Sequence, residues 1–153
     1  MIAILTTLAL VQSGITDTSS ETHQIAETYM QAYQEQDLDL LQTLYADDAV
    51  FLDPTSGDVL PITPPIHWEG PDAIIAGLRS WGTARMTYTL DRSFNASGRF
   101  VYEGVSNVVY ATPEGERVYQ FPIITIVTIE DGEVTEHRDY TDYDGMREVT
   151  AAP

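Results

Sequence analysis

The chain has 153 residues, 43% of them hydrophobic and 20% charged, which is enough for one domain around one core and too little for two. Seven basic residues, all Arg, against 24 acidic ones give a formal net charge of −17, so nucleic acid and anionic membrane surfaces are not expected partners. With no Cys, disulfides, thiolate metal sites and a thiol nucleophile are excluded together.

Residues 1–11 are almost wholly apolar, and Val11-Gln12-Ser13 places small residues ahead of a cleavage point of the secretory kind. Two readings of residues 1–14 stand side by side. A signal peptide would make the protein exported or periplasmic; an N-terminal arm packed on the domain, favoured by the lack of Lys or Arg before the apolar run, would leave it cytoplasmic. The run is also shorter than the roughly 20 residues that span a bilayer. The domain proper is expected over residues 15–153. Asn95-Ala96-Ser97 is a glycosylation sequon by pattern only.

Thr18 and Glu21 form a capping-box pattern ahead of Ile25, Tyr29, Met30 and Tyr33, which recur at helical spacing and predict a first helix. Leu38, Leu41, Leu44 and Tyr45 predict a short second helix capped by Asp37 or Asp39. A buried strand, Ala49-Val50-Phe51-Leu52, follows and ends at Asp53-Pro54. The prolines at 54, 61, 64 and 65 make residues 54–68 read as a long stiff loop. Gly70-Pro71-Asp72 opens a third helix with an apolar stripe of Ile74, Ile75, Leu78 and Trp81.

From residue 85 the period changes from 3.6 to 2. Met86, Tyr88, Leu90 and Phe94 alternate with polar residues, and runs over 100–110, 118–129 and 133–143 follow, separated by turns at Ser97-Gly98, Pro113-Glu114-Gly115 and Glu130-Asp131-Gly132. Four long antiparallel strands are predicted. The third is apolar on both faces, so it is expected to lie centrally, with helices on one side and a second copy of the chain on the other.

Several of these segments together resemble a known family. They are the short helix ending in Leu44-Tyr45-Ala46-Asp47-Asp48-Ala49-Val50, the strand ending in Asp53-Pro54, the Glu69-Gly70-Pro71-Asp72 helix start and a last strand carrying Arg138-Asp139-Tyr140. This pattern resembles the nuclear transport factor 2-like superfamily over roughly residues 21–147. Within it the SnoaL-like polyketide cyclases, ketosteroid isomerases and limonene epoxide hydrolases are most similar. The resemblance implies an α+β cone, a curved antiparallel sheet on three N-terminal helices around an apolar pocket. Because that fold hosts many chemistries, function has to come from the pocket residues.

By resemblance to ketosteroid isomerases, Tyr29 is the oxyanion donor and Asp53 the general base. The family's second oxyanion donor follows a Pro-Ile pair; here Pro122-Ile123 is followed by Ile124, which donates nothing. By resemblance to limonene epoxide hydrolases, Asp139 is an acid on the last strand, while Val105-Ser106-Asn107-Val108 lacks the Arg-x-Asp pair of that family. Read from the residues alone, Asp53 is either a desolvated base or the start of a turn, and Tyr29 is either a donor or a core aromatic. The period of two puts Thr135, His137, Asp139, Thr141 and Tyr143 on one face of the last strand, so His137 and Asp139 lie side by side if that face is inward. Tyr33, Trp68, Trp81 and Ile124 are expected to contact substrate. The three His are scattered without metal-ligand spacing, so no metal and no other cofactor is expected.

The expected function is general acid–base chemistry of isomerase, cyclase or hydrolase type on a small, largely apolar carbonyl or cyclic molecule. Asp53 and Asp139 would share the proton work, in a homodimer joined through the outer sheet face. The alternative is a non-catalytic domain that holds an apolar ligand. Two or more inward carboxylates favour the first, and one or none the second.

Overall fold

The computed structural model describes residues 18–59 and 64–149. The expectations for residues 1–14, both signal peptide and arm, lie outside the described residues. Three helices, α1 (Thr18–Glu35), α2 (Leu38–Leu44) and α3 (Pro71–Ser80), pack on a curled but unclosed sheet. Its strands are β1 (Tyr45–Asp53), β2 (Ile66–Glu69), β3 (Arg85–Ala96), β4 (Arg99–Thr112), β5 (Gly115–Glu130), β6 (Glu133–Thr141) and β7 (Arg147–Val149). The order is β2-β1-β6-β5-β4-β3 with β7 also on β5, and every pairing is antiparallel except β1 with β6. This is the expected α+β cone.

Local chemistry sets the helix ends as the sequence indicates. The Asp37 side chain accepts from the Leu40 N–H at 3.1 Å and caps α2. Pro71 opens α3 where no N–H is required, and Ile74, Ile75 and Leu78 bury its stripe. Three boundaries differ from expectation. Tyr45 leaves the helical stripe and starts β1, because α2 ends at Leu44 and the chain turns extended there. Residues 54–68 are not one loop: Pro54–Asp58 is a 3-10 turn capped by Asp53, and Ile66–Glu69 pairs with β1 as β2. In β3 the register shifts between Leu90 and Arg92, a bulge that moves Phe94 off the inner face and leaves it 56% exposed.

β5 is central, flanked by β6 and β4, as its two-sided apolar pattern implies. Pro122 is tolerated within it because the β6 pairing ends one residue away, at Ile123↔Thr141. The Pro122 carbonyl accepts from the Asp142 N–H at 2.9 Å. Its missing N–H therefore falls on the side where β6 has finished. Gly104 lies where β4 passes close under the β3 bulge, and a side chain there would collide with the Thr89 carbonyl.

The core joins the helices to the concave face through Ala26, Tyr29, Leu41, Phe51, Ile74, Leu78, Val127 and Val134. No helix among the described residues is long and apolar enough to cross a membrane.

Candidate functional site

The concave face and the helices form an open-mouthed cavity of about 190 Å³, below the roughly 300–1,000 Å³ of drug-sized ligand pockets. It suits a compact ligand. Six aromatic residues line it, Tyr33, Trp81, Tyr88, Tyr110, Phe121 and Tyr143, and so do two carboxylates, Asp53 and Asp139. No Arg or His is among the lining residues.

The face of β6 that the sequence left open is now assigned: His137 and Asp139 point inward and are 0% and 4% exposed. The Thr125 hydroxyl donates to Asp139 Oδ1 at 2.5 Å. His137 Nε2 lies 3.0 Å from the same oxygen but off the hydrogen-bond direction, so Nε2 has no hydrogen-bond partner. Every contact of Asp139 thus goes to Oδ1. Oδ2 is left without a protein partner on a residue that lines the cavity.

Asp53, 3% exposed, also lines the cavity but is held very differently. Its Oδ1 accepts from the Thr55 N–H at 3.0 Å, the Thr55 hydroxyl and the Ser56 N–H at 3.1 Å. Its Oδ2 accepts from the Thr141 hydroxyl at 3.0 Å and the Tyr143 hydroxyl at 2.6 Å. Five donors fill the lone-pair directions that a carboxylate offers. The carboxylate ties the 3-10 turn to the end of β6.

Tyr29 does not reach the cavity, which corrects its expected contact with substrate. It sits fully buried on the helical stripe, its hydroxyl bonded to Tyr45 at 2.5 Å and to His137 Nδ1 at 2.7 Å. His137 likewise lies behind the wall, stacked on Phe51 at 4.3 Å and tilted against Tyr33 at 4.7 Å. Trp68 is corrected too: its indole lies over Gly77 and against Trp81 and Phe51, outside the cavity lining. Ile124 points the other way, 37% exposed on the convex face opposite Tyr140, and it is Ile123 that lines the cavity. Tyr33 and Trp81 are among the residues that line it.

Burial holds the phenols well above their ordinary value. Tyr29 and Tyr33 are raised chiefly by desolvation, and for Tyr33 the Asp139 charge comes next. Tyr88 is raised by burial and then by Asp139, and Tyr143 by burial and then by its bond to Asp53. All remain O–H donors at neutral pH.

The sequence reading missed Tyr88, Thr125 and Tyr45. Tyr88 shares inward parity with Met86 on β3, and that parity was the available signal. Thr125 stands in an apolar strand opposite Asp139, visible only once the register is known. Among the described residues no group of three or more acidic or His side chains is placed to hold a metal ion.

The family model described as the SnoaL-like domain matches residues 26–137. No curated protein matches the chain in sequence. Among solved structures, one described as a SnoaL-like polyketide cyclase from Shewanella putrefaciens CN-32 is 23% identical with a TM-score of 0.68, covering 93% of this chain and 94% of its own. The Δ5-3-ketosteroid isomerase from Mycobacterium sp. is 22% identical with a TM-score of 0.69, covering 84% and 98%. An LEH-like epoxide hydrolase of M. tuberculosis is 19% identical with a TM-score of 0.62, covering 80% and 84%. At these identities the likeness is one of fold.

Proposed function

The chain belongs to the SnoaL-like domain family, and from that premise we propose that it is a small-molecule enzyme of isomerase, cyclase or hydrolase type that moves a proton with Asp139. The observation that carries this is the unpartnered Oδ2 of a buried Asp139 in the cavity wall. A positioned carboxylate with a free lone pair is the form a general base takes, and such a group contributes about 10²- to 10⁴-fold. Two inward carboxylates also favour catalysis over plain binding.

The division of labour differs from the one the ketosteroid isomerase pattern implies. Asp53, with five donors in place, would have to break part of its own turn to accept a substrate proton, so it shapes the cavity end instead. His137 supports Asp139 from behind. Its Nδ1 shares a 2.7 Å hydrogen bond with the Tyr29 hydroxyl while its Nε2 lies 3.0 Å from Oδ1, and His137 is a positioning residue.

The test is proton exchange in D2O at the carbon beside the carbonyl of small cyclic ketones, followed by NMR, with ring-opening of small cyclic epoxides scored in the same tubes. Wild type should exceed background in one assay, and Asp139→Asn should lose about 10²-fold of that rate. Equal rates for the two proteins would leave a binding domain as the better reading.

The convex face supports the expected homodimer as part of this proposal. Phe94, Ile124 and Tyr140 stand exposed there on three different strands. Light scattering that gives a dimer for wild type and a monomer for Ile124→Glu supports it; a wild-type monomer overturns it.

A further inference from the structure

Resting on the reading of the cavity as the reaction site, we propose that its substrate carries a positively charged nitrogen: a compact, alkylated ammonium or cyclic amine. The argument starts from where the wall's protons go. Thr125 has one hydroxyl proton and gives it to Asp139 Oδ1, so in the 3.0 Å contact between Tyr88 and Thr125 the donor is Tyr88. Thr141 and Tyr143 give theirs to Asp53 Oδ2. Four hydroxyls around the cavity are thus spent inside the wall, all oriented toward the two acids.

What this part of the wall offers the cavity is the complement of that orientation. It presents the lone pairs of those hydroxyl oxygens, the free Oδ2 of Asp139 and the aromatic side chains that line it. The Tyr33, Thr83 and Tyr110 hydroxyls of the same wall remain free to donate, but no cationic side chain lines the cavity to hold an anionic group. A cation meets a carboxylate and aromatic rings, the pairing by which alkylammonium groups are recognised.

Charge balance points the same way. Four of the seven Arg make ion pairs on the surface, Arg85 with Glu116, Arg92 with Glu103, Arg117 with Glu148 and Arg138 with Glu136. None lines the cavity. The basic group nearest Asp139 is the His137 imidazole, which meets Oδ1 and leaves Oδ2 alone. Oδ2 opens to the cavity rather than into the packed wall, so a ligand cation there supplies the charged partner that the protein does not. The surplus of 17 negative charges draws cations toward the molecule and repels anions.

A matched pair of ligands tests this on the unmodified chain. 4,4-Dimethylcyclohexanone and the N,N-dimethyl-4-oxopiperidinium ion have the same shape and the same carbonyl, and differ by the charged nitrogen. Binding of each is measured by isothermal titration calorimetry. The piperidinium ion should bind at least tenfold more tightly, and Asp139→Asn, checked by circular dichroism to be folded, should remove that preference while the ketone's affinity changes little. Equal or tighter binding of the neutral ketone overturns the inference, as does failure of the cation to bind at millimolar concentration or a preference that survives in Asp139→Asn. The outcomes separate it from the reaction itself. Asp139-dependent exchange on the neutral ketone with no cation preference keeps the acid–base reading and sinks this one, whereas Asp139-dependent cation binding with no exchange on either ketone does the reverse.

Discussion

Asp53 at the corner between β1 and the 3-10 turn and Asp139 on the β6 wall are the same residue type, lie on the same cavity and are buried to the same degree. They differ in what their oxygens touch. The corner brings together backbone N–H groups of a tight turn and hydroxyls from the end of β6, so that acid is fully engaged; the wall supplies one hydroxyl and one ill-aimed imidazole, and the other acid keeps an oxygen free. Burial of an acid therefore says little about its role until its lone pairs have been assigned. The saturated one is a fastener and the unsaturated one is available for chemistry or for a ligand.

Exchanging each acid for its amide is the sharpest way to break that contrast. Asp139→Asn should cost about 10²-fold in turnover with little loss of stability, whereas Asp53→Asn should do the opposite. An amide at Asp53 turns one oxygen into a donor facing donors, and a loss of about 3 kcal/mol is expected. Urea melts of both variants beside the exchange assay check this, and a reversed pattern would swap the two roles.

The next effect is alkaline. The phenols Tyr29, Tyr33, Tyr45 and Tyr88 are raised above the ordinary value of 10.0, first by burial. The folded chain thus keeps protons that the unfolded chain loses. Unfolding releases protons, so the stabilisation is complete below about pH 10 and is lost as pH rises through that value. A loss of roughly 1–2 kcal/mol at pH 10 is expected, read as a falling Tm between pH 8 and 11 with no phenolate absorbance from the buried rings before melting.

Smaller still is Tyr29→Phe, which strands the Tyr45 hydroxyl and His137 Nδ1 and should cost about 1–2 kcal/mol. If Tyr29 acts only through His137, the variant should alter the pH profile of turnover more than KM. At the low end, Ile124→Thr should stay within about 0.5 kcal/mol for the isolated chain, since the side chain stands outward. A large effect on turnover there would return Ile124 to the cavity.

The contrast between the two acids also marks where the sequence stopped being readable. Period and caps sufficed for α1, for the Asp37 cap of α2, for Pro71 at the start of α3 and for the central place of β5, because each is decided by residues within a turn or two. Tyr29 on the helical stripe was legible as a core aromatic, and the core position is the one it occupies. Phe94 was misplaced because one bulge reverses the parity of every later residue on the strand, and no residue type announces it. Ile124 was misplaced because β5 is apolar on both faces and alternation is silent there; the pairing with Tyr140 decides it. The occupancy of Asp53 and the vacancy on Asp139 depend on contacts up to 90 positions apart in the chain, beyond any local pattern.

The chain has two tryptophans, and both belong to one cluster. Trp68 and Trp81 lie 5.6 Å apart, with the Phe51 ring against each. Trp81 forms part of the cavity wall, and Phe51 stacks on His137 on its other side. All indole emission of this protein therefore originates at a single spot, one ring away from the buried imidazole. The molecule carries its own optical gauge: a ligand that enters alters the surroundings of the only strong fluorophores present, and no label has to be attached to follow it.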